Sequence, residues 1–263
     1  MALPDETFFS AGVLAMYVLA PMSAIPLLFI TAPYGKHSRS GWGPSVSPPI
    51  AWFLMESPTL WLSVLFLPFG RHRSSTIALF ILSLFFLHYI HRTIIYPLRL
   101  RRFRKSSSGG FPISIVAMSF GFNALNAYIQ TRFVTHYAEY DGGAWAGGIW
   151  TATRLAIGLG VFLWGMTVNV RSDLVLVRLK AEGGGYKIPR SGWFELVSCP
   201  NYMGEVAEWL GWAVVAWSPA AFGFALFTAA NLVPRAWSHH KWYQEKFGED
   251  YPMSRKAVVP YIF

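Results

Sequence analysis

The 263-residue sequence is poor in charge, with only 13% Asp, Glu, Lys and Arg, about half the share that soluble domains carry. That scarcity excludes a disordered chain, a coiled coil and an ordinary soluble globule. Cysteine is nearly absent too. One thiol, Cys199, excludes an intramolecular disulfide and any multi-cysteine metal site. The amino terminus, MALPDETFFS, lacks a basic n-region, and no small-residue cleavage site follows its apolar stretch. It therefore reads as a first span and not as a signal peptide. There is no G-x-G-x-x-G after a strand and no G-x-x-x-x-G-K-[ST], so neither a Rossmann domain nor a P-loop does any binding. No internal repeat, low-complexity tract or domain linker is visible.

Apolar residues are what the chain has. Hydrophobic residues make up 54% and aromatic residues 17%, and the mean hydropathy is +0.36. A spanning helix needs about 20 mostly apolar residues. Such stretches occur at 9–31, 49–69, 75–96, 111–136 and 144–168, followed by a long stretch from 202 to 234. Ser218-Pro219-Ala220 interrupts the last one, because proline breaks a helix, giving spans 202–217 and 220–234. The expectation is an all-α, seven-span bundle forming one integral membrane domain over 1–263, since irregular backbone exposed to lipid is forbidden.

The net charge of +9 admits nucleic-acid binding as one reading. The basic residues, however, lie in short loops between apolar runs. Seventeen of 22 fall on one side: after span one (Lys36, Arg39), after span three (Arg99, Arg101, Arg102, Arg104, Lys105), after span five (Arg171, Arg178, Lys180, Lys187, Arg190) and in the tail (Arg235, Lys241, Lys246, Arg255, Lys256). The positive-inside rule then places the N-terminus outside and the C-terminus in the cytoplasm. Segments 97–110, 170–200 and 235–263 become cytoplasmic loops, and no nucleic-acid partner is expected.

Ionisable groups inside spans are costly and mark functional sites by default. Glu56 sits in AWFLMESP, next to the helix-distorting Pro58. A carboxyl at that depth can stay protonated and donate a hydrogen bond, or it can partner a basic residue on another span. In HYIHRTIIY, Tyr89, Arg92 and Tyr96 are spaced i, i+3, i+7 on one helix face. A buried phenol beside a charge suits a general acid, and the alternative is an interfacial aromatic belt. His88 and His91 lack a third ligand at suitable spacing, so no metal is expected. Asn169 and Asp173, in NVRSD, are either helix-end caps or binding residues. Asn201, Glu205 and Glu208 form a stripe at i, i+4, i+7. Arg235, His239 and Tyr243 lie at i, i+4, i+8 on a basic-aromatic face, which suits a phosphate-bearing ligand or anionic lipid. Pooled, these groups suit a large ligand with an anionic part at the cytoplasmic mouth and an apolar partner from the lipid. A dinucleotide with a lipid-like substrate fits.

At these residues the chain resembles the steroid 5α-reductases (3-oxo-5α-steroid 4-dehydrogenases), integral membrane enzymes that use NADPH. The matching blocks are YGKH at 34–37, AWFLMESP at 51–58, HYIHRTIIY at 88–96, NVRSD at 169–173, YKIP at 186–189, NYMGEVAEWLGWAVVAWS at 201–218 and RAWSHHKWYQEKFGEDYPMSRKAVVPYIF at 235–263. The resemblance implies hydride transfer from NADPH to C5 of a Δ4-3-oxo steroid such as testosterone or progesterone. Glu56 and Tyr89 then polarise the C3 carbonyl, and C4 is protonated. It implies cofactor contacts from Arg101, Asn169, Asp173, Lys180, Tyr186, Asn201, Glu205, Arg235, His239 and Tyr243, with Tyr186 on the adenosine half and Arg235 on the phosphates. A monomer in contact with membrane lipid is expected, and the apolar outer faces of the spans point to steroid entry from the bilayer between spans one and four. A bacterial member is expected, in the inner membrane; a eukaryotic one would sit in the endoplasmic reticulum membrane.

The sequence departs from the family at three places. Leu100-Arg101-Arg102-Phe103-Arg104 stands where Asn-Arg-Gly-Arg is common, Lys180 where Arg is frequent, and Asn126 where some members have Gln. Two rivals share parts of the pattern. The isoprenylcysteine methyltransferases, which use S-adenosylmethionine, carry a related Asn-Tyr-x-Gly-Glu block. They usually place Arg-His-Pro before it, where this chain has Ser198-Cys199-Pro200. A non-catalytic sterol binder is the other.

Overall fold

Proline and serine set most of the helix starts. In the computed structural model, which describes residues 4–103 and 110–263, Ser75 caps a helix by accepting from Ala78 N, and Ser218 does the same from Ala221 N. Pro48, Pro200 and Pro219 stand in the first turns of their helices, where the missing N–H costs nothing. The helices are α1 (Asp5–Phe29), α2 (Pro48–Phe66), α3 (Thr76–Ile90), α4 (Tyr96–Phe103), α5 (Ile113–Arg132), α6 (Gly148–Glu182), α7 (Pro200–Ala216) and α8 (Pro219–Phe247). A π turn, His91–Ile95, joins α3 to α4 in one continuous rod. Strands β1 (Ser45–Val46) and β2 (Phe111–Pro112) pair antiparallel and fasten the approaches to α2 and α5.

The all-helical class is as expected. Among the described residues, four helices are long and apolar enough to cross a membrane: Asp5–Phe29, Pro48–Phe69, Thr76–Phe103 and Gly148–Glu182. The other three expected spans fall on α5, α7 and α8, which carry Asn123, Asn126, Gln130, Glu205, Glu208 and Arg235. α7, at 17 residues, is also short for a span.

The break expected at Ser218-Pro219 is present, with Trp217 in the left-handed region (φ 48°) closing α7. Buried Arg154 donates to the carbonyls of Val214 and Val215 at 2.7 Å each, a cation on the negative end of α7. Two helices outrun their expected limits. α6 continues to Glu182 and α8 to Phe247, so Asn169 and Asp173 are mid-helix residues and cap nothing. The basic stretch after span three remains helical to Phe103; Arg104 and Lys105 lie outside the described residues.

α6 and α7 pack backbone to backbone. Gly158 and Gly165 face Gly204 and Gly211, each pair seven residues apart. A Cβ on Gly165 would lie 2.4 Å from Glu208 N, on Gly204 2.5 Å from Asn169 N, and on Gly211 2.4 Å from Phe162 N. No side chain larger than hydrogen fits there. This contact sets the amides and carboxyls of α6 against those of α7.

Candidate active site

Pro58 lacks the N–H that would bond Leu54 O, so α2 is loosened one turn before it. Ser57 Oγ donates to that carbonyl at 3.3 Å, and Thr59 Oγ1 donates to Glu56 O at 2.5 Å. In this locally repaired turn Glu56 faces α5. Asn123 Nδ2 donates to Met55 O at 2.7 Å and to Glu56 Oε2 at 3.2 Å. One turn further along α5, Asn126 Nδ2 donates to Tyr89 Oη at 3.2 Å. Glu56 and Tyr89 therefore reach the same stretch of α5 from two different helices. Tyr89 is buried at 3% exposure, against Phe85 (centroids 4.6 Å), His88 (5.0 Å) and Trp209 (5.6 Å). A carboxyl and a phenol beside an aromatic wall suit a flat apolar molecule with one polar oxygen.

The face expected for Tyr89, Arg92 and Tyr96 is divided by the π turn. Tyr89 turns to α5. Arg92 and Tyr96 turn to Trp52, whose ring lies 4.5 Å from the guanidinium and 5.2 Å from the Tyr96 ring. Arg92 donates to Asp173 Oδ2 at 2.7 Å and to Glu205 Oε2 at 3.0 Å. Asn201 Nδ2 donates to Asp173 Oδ1 at 3.0 Å, and Asn169 Nδ2 to Asn201 O at 3.0 Å and to Glu205 Oε2 at 3.1 Å. Four of the expected binding residues thus form one network, with Arg92 as the cation that makes their burial tolerable. Glu208 stands apart, bonded to His88 Nδ1 at 2.8 Å. His91 faces Arg99 at 3.2 Å, so the two histidines point to different partners.

A second cluster lies where α8 meets the segment after α1. Arg235 donates to Asn231 Oδ1 at 2.9 Å, to Tyr202 Oη at 3.2 Å and to Tyr34 Oη. Among the described residues no carboxylate is in ion-pair contact with it, and Glu205 acts on it only from farther off. His239 contacts Tyr202 Oη at 3.3 Å and His37 at 3.2 Å. Lys36 Nζ lies over the rings of Trp242 (4.2 Å) and Tyr243 (4.1 Å). Burial pushes the Lys36 ammonium down to about 8. Burial and the neighbouring cations push His37 and His239 below the usual imidazole range, so both are neutral near pH 7. Burial pushes the Cys199 thiol up to about 12. Leu27, Thr31, Tyr34, His37, Arg235 and His239 line a narrow cleft here.

Tyr243 stacks on Tyr251 (5.4 Å, 8°), and exposed Tyr186 meets Trp242 edge-on at 4.9 Å. Arg101 and Lys180 lie on exposed helix surfaces. Asn123, Arg92 as a hub, and Tyr34, Lys36, His37 and Tyr202 were not assigned roles from sequence. YGKH at 34–37 carried a signal in its cation density, but its partner α8 is about 200 residues away.

The geometry can be set beside known proteins. A model of the 3-oxo-5-alpha-steroid 4-dehydrogenase family matches residues 109–263. Steroid 5-alpha-reductase DET2 of Arabidopsis thaliana is 56% identical over 266 residues, covering 99% of each chain. 3-oxo-5-alpha-steroid 4-dehydrogenase 1 of Rattus norvegicus is 37% identical over 249 residues, 93% of this chain and 91% of its own. The Homo sapiens protein of the same name is 38% identical over 240 residues, 88% of this chain and 86% of its own. These relatives come from a plant and two mammals and lend no support to the bacterial source expected from sequence.

Proposed function

The chain belongs to the 3-oxo-5-alpha-steroid 4-dehydrogenase family of oxidoreductases, and on that premise we propose that it reduces the Δ4 double bond of 3-oxo steroids with NADPH. The observation that carries the residue assignment is the pair of bonds Asn123–Glu56 and Asn126–Tyr89, one turn apart on α5. They hold a carboxyl and a phenol where a single ketone oxygen can meet both.

The donor set suits a pyridine dinucleotide phosphate. Asn169, Asn201, Asp173 and Glu205 offer the mixed donors and acceptors that a carboxamide and ribose hydroxyls need. Among the described residues Arg235 has no carboxylate in ion-pair contact, which leaves its guanidinium open to a phosphate, and Lys36, His239 and Tyr243 surround the same end. Tyr186, packed on Trp242, is assigned to the adenosine half, and the exposed cations Arg101 and Lys180 to the phosphates. When bound, NADPH supplies the hydride that reaches C5. Glu56 and Tyr89 grip the C3 oxygen and stabilise the negative charge that grows there as C4 becomes nucleophilic. Both act away from bulk solvent, where such donors are worth most. C4 then takes a proton, completing the 5α-dihydro product.

In the proposed arrangement α5, α7 and α8 join the four apolar helices as spans, the N-terminus lies outside and the C-terminus in the cytoplasm. The asymmetry of basic residues supports this. It holds equally for a bacterial inner membrane and for the endoplasmic reticulum. The steroid enters from the bilayer between α1 and α5. In this reading the enzyme works as a monomer in contact with membrane lipid.

Incubating membranes that contain the protein with progesterone and NADPH, followed by mass spectrometry, tests the reading. A product two mass units heavier, with matching NADPH oxidation, is expected. NADPH consumption that ignores added steroid overturns it. A thermal shift with S-adenosylmethionine and none with NADPH would favour the methyltransferase instead.

A further inference from the structure

Behind Tyr89 lies a file of amides on α5. Asn126 Nδ2 donates to Tyr89 Oη at 3.2 Å. Gln130 Nε2 donates to Asn126 Oδ1 at 3.1 Å and to Ala220 O, at the start of α8, at 3.0 Å. Asn126 and Gln130 have no exposed surface, and Tyr89 has almost none. A carboxamide can turn over, exchanging its oxygen and nitrogen, and a phenol both donates and accepts. A chain built only of such groups can run in either direction.

The Ala220 carbonyl removes that freedom. A carbonyl oxygen accepts and never donates, so Gln130 must offer it the NH2 group. The second hydrogen of that group then points at Asn126, which has to answer with Oδ1. Asn126 is left to offer its own NH2 to Tyr89. The Tyr89 oxygen accepts, and its proton is free for a partner on the other side. Gln130 Oε1 finds no partner among the described residues. That orphan is the cheaper outcome, because the inverted amide would set oxygen against oxygen at Ala220 and leave two N–H groups bare.

We infer that Gln130 and Asn126 are positioning residues that fix the direction of the Tyr89 hydroxyl, holding it as a donor aimed at the substrate ketone. The inference rests on the proposed role of Tyr89. It also gives the departure from the family pattern at 126 a physical meaning. Asn126 holds Tyr89 with Gln130 behind it, and α8 supplies the fixed end. Without Gln130 the Asn126 amide can invert and present Oδ1 to Tyr89. The hydroxyl then donates to Asn126 and leaves the ketone with Glu56 alone.

A double-mutant cycle tests this, read by kcat and KM for progesterone and NADPH. Met fills the Gln130 volume without an amide. Gln130→Met is expected to lower kcat by about tenfold, a part of the effect of losing a transition-state donor outright, with KM for NADPH nearly unchanged. In a Tyr89→Phe background the same substitution is expected to cost less than about twofold more, since coupled residues are not additive. A wild-type kcat in Gln130→Met, with Tyr89→Phe impaired, overturns the inference and leaves the role of Tyr89 standing. An equal loss in both backgrounds overturns it as well, because it marks plain structural damage. A full rate in Tyr89→Phe overturns the underlying reading of Tyr89. If Gln130→Met yields no folded protein by NADPH-dependent thermal shift, Gln130→Glu replaces it with the same expectations. That variant keeps the shape and cannot offer two N–H donors in any protonation state.

Discussion

Arg92 and Glu205 lie 3.0 Å apart, and the other arm of the same guanidinium reaches Asp173 at 2.7 Å. One cation thus ties the α3–α4 rod to α6 and α7. Both carboxylates are desolvated beside it, so removing the guanidinium leaves two buried charges without compensation. Arg92→Met is expected to lower stability by about 3–5 kcal/mol. A thermal melt in detergent reads this directly, and an unchanged midpoint contradicts it.

The glycine contact between α6 and α7 makes a paired prediction. Gly204→Ala places a methyl 2.5 Å from Asn169 N, which forces the helices apart at about 1–3 kcal/mol and displaces Asn201 from Asp173. Gly160 has nothing within 4 Å of an added Cβ, so Gly160→Ala is expected to be neutral or stabilising by up to about 1 kcal/mol. The melting temperature of Gly204→Ala should fall, and that of Gly160→Ala should hold or rise. A shared direction would mean that the close approach is not what glycine provides.

Glu56→Gln and Tyr89→Phe are each expected to reduce steroid-dependent turnover by about 10²–10³. NADPH affinity, followed by fluorescence titration, should remain near wild type, since the hydrogen bonds of both side chains run to α5 and not to the Arg92 network or the Arg235 cluster. Loss of NADPH binding in both variants would reverse the assignment.

Lys36 gives a pH prediction. Its ammonium titrates at about 8 because burial disfavours the charge. A phosphate favours the protonated amine, so NADPH affinity should be full below pH 8 and fall as pH rises through it, by up to about tenfold per unit. Lys36→Arg keeps its charge over that range and should flatten the profile. A wild-type profile that stays flat to pH 9 would remove Lys36 from the phosphate site.

Much of the site was legible because membrane interiors penalise polar groups. Glu56, Tyr89, Glu205 and Asn201 stood out against apolar surroundings, and the proline at 219 marked the corner between α7 and α8. Other features were hidden for stateable reasons. The extension of α6 to Glu182 follows from tertiary packing, while hydropathy fades after Val168. The π turn at His91–Ile95 altered which side chains share a face, and ideal helix spacing cannot reveal that. Gly158, Gly165, Gly204 and Gly211 carried a visible seven-residue spacing, but the pairing of the two stripes needed the fold. Asn123 and Gln130 read as neutral amides until their partners on α2 and α8 were in view.

In the proposed seven-span arrangement, the charge-bearing helices also constrain how the protein is made. α7 holds two carboxyls in 17 residues, and an ionised acid at the bilayer centre costs about 2.5–3.5 kcal/mol on insertion scales. Such a segment partitions poorly by itself. Its carboxyls find their mates on the α3–α4 rod and its backbone finds its mate on α6, so those elements must already be waiting when α7 leaves the insertion machinery. The sharp corner at Trp217 and Ser218 then lets α7 and α8 go in together as a hairpin. Biogenesis of the enzyme is thereby ordered along the chain, with the last pair of helices recruited by the ones before it.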